Sequence, residues 1–320
     1  MTGVCFSCTI HHGGHHYGES RNRKKKPLTK IEIVAATEMS KAEREKIEKQ
    51  YDGNQEKLRK ELPRVLKCAN AIPGLFRGPS IYFHHKALLE SKERFLSPEH
   101  LETIYAVLPS WGMHRMGGDA KVCSFNEFKT SILDSSENEE TINDLKTIDD
   151  YLSKIENTKK RNVATIEKLG EKVSKIAKLI SQIKASSSDS HLVSASKTLH
   201  HILPNLVPPI DREYSVRFMK KECPFVTGQK NQVNVNKDHK ALAEIFITGM
   251  LNFFNSDEWK NIVKDITLIE PNRSIHEVGA FNTSLPKMFD NLIVAFVKLH
   301  NVDKKKRNSF MKVVNEVLKK

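Results

Sequence analysis

The sequence is first notable for what it lacks. No apolar run reaches the about 18 residues that a membrane helix needs, and the N-terminus lacks the charged start, apolar middle and small-residue cleavage site of a secretory signal. These absences predict an intracellular protein, cytoplasmic or nuclear, with no membrane partner. The five cysteines (5, 8, 68, 123 and 223) are odd in number and mostly far apart, which argues against a disulfide framework and predicts free thiols in a reducing compartment. No GxxxxGK[ST] loop, well-placed GxGxxG, HExxH or GxSxG elbow occurs, which argues against the common nucleotide hydrolases, zinc proteases and α/β-hydrolases. Strand-like alternation is confined to "NQVNVN" near residue 231. The fold class expected is mainly α: one helical, bundle-like domain with flexible basic tails.

With 320 residues the chain can bury a sizeable core. Its net charge of +13 is concentrated at the ends: residues 1–30 hold six Lys/Arg against one acid, and residues 301–320 hold seven against two. Basicity placed this way predicts salt-sensitive attraction to phosphate more than a dedicated binding face. Residues 1–38 read as a disordered Cys/His- and Lys-rich tail, with too little apolar surface to offset chain ordering. Residues 39–300 read as the helical domain and 301–320 as a basic C-terminal helix or tail.

Within the domain, Ser97-Pro98 is a helix start, Ser124 and Glu127 have capping-box spacing, and Thr283 or Ser284 precedes a helix with Pro286 in its first turn. The acidic stretch 134–140 reads as a linker. Residues 141–184 read as one long helix with Ile166, Leu169, Val173, Ile176, Ile180 and Ile183 on a single face.

Three constellations carry chemistry. In "CFSCTIHHGGHH", Cys5 and Cys8 with His11 and His12 have the donor types of a zinc site, or are a tract that captures metal adventitiously. In "SWGMHRMGG", Trp111, His114 and Arg115 either line a pocket, offering stacking surface, an acid/base group and an anion clamp, or end a helix packed into the core. In "SASKTLHHILPNLVPPIDREYSVRF", Pro204 ends a helix near His201 or Ile202, and Pro208-Pro209 introduces a second helix. Asp211 stands near the start of that second helix, either as its cap or as a presented functional group. Val216 and Phe218 alternating with Arg212, Arg217 and Lys220 predict one buried and one basic face.

This last segment, about residues 191–218, resembles the helix-hairpin-helix DNA glycosylases. In that all-helical family a hairpin and its second helix are followed by a Pro-containing turn and an Asp at the mouth of the base pocket. The resemblance implies that Asp211, in "PPID", is the catalytic acid, stabilising the developing sugar cation or activating the attacking group. It also implies DNA as partner, with Lys197, Arg212 and Arg217 as nucleic-acid contacts. The family's glycine-rich hairpin is replaced by "SSSDSHLVSAS", and Lys197 stands about four residues closer to Asp211 than the family's Schiff-base lysine, which disfavours a lyase. The wider stretch, from "GPSIYFHHKAL" to "NTSLPKMFDNLIVAF", resembles a broad prokaryotic family of helical proteins with no activity attached. The resulting expectation is a nucleic-acid-associated, glycosylase-like protein with no cofactor beyond the N-terminal zinc reading. The alternative is a non-catalytic scaffold binding another protein through the 141–184 helix.

Overall fold

The computed structural model describes residues 39–75, 79–111, 122–134, 136–186, 191–226, 238–271 and 279–319. Cys5, Cys8, His11, His12, the basic run 21–27, His114, Arg115 and "NQVNVN" lie outside these residues. Among the described residues there are fourteen α-helices and no strand beyond two isolated bridges, so the fold is mainly α. No described helix is long and apolar enough to cross a membrane.

Local signals set most helix ends. Ser40 caps α1 (Lys41–Lys60) by accepting the Glu43 N–H, and Pro63 sits in the first turn of α2 (Leu62–Asn70). A 3-10 turn (Ile72–Leu75) precedes α3 (Pro79–Glu93) and α4 (Pro98–Ser110), the latter capped by Ser97. The reciprocal Ser124–Glu127 box opens α5 (Phe125–Leu133).

The single helix expected over 141–184 is instead three: α6 (Ser136–Ser153), α7 (Thr158–Gly170) and α8 (Val173–Gln182). Asn157 caps α7 by accepting the Lys160 N–H, and Gly170 is its last residue. The long contact surface imagined for a protein partner is therefore divided. Leu169, Ile176, Ile180 and Ile183 still all face the core. The acidic stretch read as a linker begins α6 at Ser136, where Glu137 and Glu139 favour the positive end of the helix dipole.

The remaining helices are α9 (Leu192–Ile202), α10 (Arg217–Lys220), α11 (His239–Asn255), α12 (Asp257–Ile262), α13 (Leu285–Leu299) and α14 (Lys304–Val317). Helix α13, capped by Ser284, packs against α2 and α14, and α9 packs against α3, α4 and α8. These two are buried almost all round, with only Val193 of α9 and Lys298 of α13 less than buried. Helices buried on every side are normally apolar throughout. Here they carry Lys197, Thr198, His200, His201, Lys287, Asp290 and Asn291 into the interior.

Side-chain amides tie the outer helices to this core. Asn54 Nδ2 donates to the carbonyls of Phe218 and Lys221, both at 2.7 Å, and Gln55 donates to Gly249 O at 2.8 Å. Gly249 lets α11 and α1 approach this closely, since a Cβ there would lie 2.0 Å from Tyr51 Cε1.

Candidate functional site

The two prolines act as the sequence suggests. After α9 the chain turns through 203–206 and runs extended and buried to Ile210, whose N–H donates to Ser196 Oγ at 3.0 Å. Asp211 is extended, and its Oδ1 caps the next turn by accepting the Glu213 N–H at 2.7 Å. That turn (Arg212–Val216) is a π-helix, closed by Val216 N–H to Asp211 O, and it leads directly into α10. The wider winding overturns the expected two-faced helix: Arg217 is 2% exposed and ion-paired with Glu213 at 2.9 Å. Arg212 is exposed.

Lys197 reaches across from α9 and donates to Asp211 Oδ2 at 3.0 Å. The lysine is 6% exposed and the aspartate 29%, so the carboxylate is the part of the pair that meets solvent. Burial pushes the Asp211 pKa up. The Lys197 charge and hydrogen bond, with the Glu213 and Tyr214 N–H groups, outweigh it and hold the acid below the usual carboxylate value. Asp211 is thus both helix cap and presented carboxylate.

A second buried pair lies on α13. Lys287 Nζ donates to Asp290 Oδ2 at 2.6 Å and Asn291 Oδ1 at 2.9 Å. Burial raises the Asp290 pKa against the pull of Lys287, and the Asp211 charge raises it further. The half-buried Trp111, C-cap of α4, faces both lysines: Lys197 Nζ is 5.8 Å and Lys287 Nζ 5.3 Å from its ring centroid. Trp111, Lys197 and Asp211, singled out separately in the sequence, are therefore brought together.

Behind them runs a histidine relay whose protons are fixed by chemistry. Lys197 O can only accept, so His201 Nδ1–H donates to it at 2.7 Å, leaving Nε2 to accept from His84 Nδ1–H at 2.9 Å. His84 Nε2 then accepts from the Thr283 hydroxyl at 3.1 Å. Burial holds these rings neutral: it takes the His201 pKa down to about 3 and His84 well below its ordinary value. The relay is an orienting scaffold, not a set of acids.

Sequence reasoning missed Lys287, Asp290, Asn291, His84 and His201. The signal was there: three polar residues one helical turn apart within "LPKMFDNLIVAF", and His-His pairs on two apolar helices. Among the described residues the cysteines carry no activation, since burial pushes the thiols of Cys68, Cys123 and Cys223 up. Among the described residues no cluster of three or more His, Cys, Asp or Glu is placed to hold a metal ion. No protein-family model, curated protein or solved structure matches the chain.

Proposed function

We propose that this is a nucleic-acid-associated protein acting inside the cell, with Asp211 as the working carboxylate of a glycosylase-like site. The observation that carries the reading is the convergence of Trp111, Lys197 and Asp211, with Asp211 the member of the ion pair open to solvent. A carboxylate held ionised is unsuited to donate a proton. It suits stabilising positive charge on a sugar as the base leaves, because it is oriented before charge develops. Lys197 keeps that acid ionised and in place, a positioning role in place of the phosphate contact first expected of it. Exposed Arg212 remains the phosphate contact beside the site. Trp111 supplies the flat surface against which an extruded base packs.

The test is base excision by the full-length chain on single-stranded and duplex oligonucleotides carrying deaminated, alkylated or oxidised bases, with abasic sites revealed by alkaline cleavage. Release from at least one lesion class is expected, with Asp211→Asn slower by about a hundredfold, the scale of losing one preorganised electrostatic contact. Absence of release by the wild-type chain on all three classes overturns the proposal whether or not the variant folds.

A further inference from the structure

Beside the Asp211 turn lies an open cleft of about 580 Å³, walled by the π-turn, the end of α13 and the start of α14. The residues 301–320 that lend the C-terminus its charge are, over 304–317, an ordered helix. Gly74 allows its close seating, since a Cβ there would lie 2.6 Å from Val317 Cγ2. Asp303 caps α14 by accepting the Lys305 and Lys306 N–H groups, so this helix start presents side chains to the cleft more than free amides.

Lys298 is the one residue of α13 that is not buried. Its ammonium lies 5.2 Å from the ring centroid of Tyr214 and 5.9 Å from that of Phe310, with no ion-pair partner among the described residues. Burial lowers its pKa. Arg217 lines the same cleft, but it is buried and its charge is held by Glu213. Lys305 and Lys306 complete the rim. With Arg217 and Glu213 paired to each other, Lys298, Lys305 and Lys306 face Asp303, a net surplus of positive charge beside the half-buried ring of Tyr214, while Phe310 is buried beneath them. Lysines beside an accessible aromatic ring are what a single strand requires, the charges tracking phosphates and the Tyr214 ring offering a face to a base.

We infer that this cleft holds the phosphate backbone of a single nucleic-acid strand, leading it past Tyr214 to Asp211. The inference rests on the nucleic-acid reading above but not on the chemistry of Asp211. Its test is fluorescence anisotropy of a labelled oligothymidylate of about 20 nucleotides, titrated with full-length chain across a salt series, since each phosphate contact adds about 0.7 to the log–log salt slope. Neutralising Lys298, Lys305 and Lys306 to Gln should lower that slope by about 2 and weaken binding about a hundredfold at 0.1 M salt. The pair Lys305→Gln/Lys306→Gln, which leaves α13 untouched, should lower it by about 1.4. Lys312→Gln/Lys319→Gln, farther along the C-terminal segment, should leave it unchanged. A wild-type slope in both cleft variants overturns the inference while leaving an Asp211-dependent excision intact. Equal displacement of the strand by polyglutamate, showing an acidic protein as the better occupant, also overturns it.

Discussion

The Lys287–Asp290 pair gives the sharpest quantitative test of the interior. Both side chains are under a tenth exposed, and the two possible deletions leave different remainders. Asp290→Asn leaves the ammonium two amide oxygens and the Trp111 and Phe281 rings, at 5.3 and 5.1 Å. Lys287→Met leaves a buried carboxylate facing the Asp211 charge without its donor. Breaking a buried pair costs about 3–5 kcal/mol, so Lys287→Met should fall in that range and Asp290→Asn below it, at about 2 kcal/mol. The double variant should recover at least about 2 kcal/mol of the sum, the coupling typical of contacting groups.

Lys287→Met also carries a pH signature. Without Lys287 the Asp290 pKa rises further above its unfolded value, and a carboxyl raised in the fold contributes stability below its unfolded pKa that is lost as pH rises. The Lys287→Met penalty should therefore be small near pH 4 and grow toward pH 8. Urea denaturation followed by far-ultraviolet circular dichroism at both ends measures it. A penalty independent of pH, or a double variant as damaged as the sum of the singles, would refute the reasoning.

Two other predictions follow from packing and titration. Asp149, buried on the Asn205 N–H at 2.7 Å, has its pKa pushed by burial up to about 7, so the wild type should lose stability as pH rises from about 4 through 7, on the order of 4 kcal/mol at most. Asp149→Asn should flatten that limb, as read from Tm at pH 5 and 8. Gly249→Ala forces a methyl group onto Tyr51 and should cost about 1–3 kcal/mol by overpacking; Tyr51→Leu in the same chain should make the added alanine cheaper in urea melts.

What was legible in the sequence was local. Ser97, Ser124 and Ser284 announce helix starts because a cap needs only its own next three residues. The two breaks within 141–184 were marked by Asn157 and Gly170, but the continuous apolar spacing on either side outweighed them. The acids at 137 and 139 read as a linker because acid-rich stretches and helix first turns share a composition. In the site, Asp211 stood out by the prolines before it, Trp111 by the Met- and Gly-rich cluster around it, and Lys197 by the resemblance of its segment. Their convergence did not, because Trp111 and Lys197 belong to different helices and the π-winding that buries Arg217 follows from tertiary packing. Lys287 and Asp290 were hidden because they sit among the apolar residues of α13, a helix buried on nearly every side.

The amide ties of α1 bear on how the chain is made. Asn54 and Gln55 find their carbonyl partners 164 to 194 residues later in sequence, and Tyr51 bonds Phe246 O at a separation of 195. At synthesis rates of about 5–20 residues per second, the first helix waits roughly 10–40 s for the segments that cover Ile47, Tyr51 and Leu58. Chains interrupted before α11 is complete would carry that apolar face uncovered, so nascent-chain stalling upstream of residue 239 should yield the species most prone to aggregate and most dependent on chaperones.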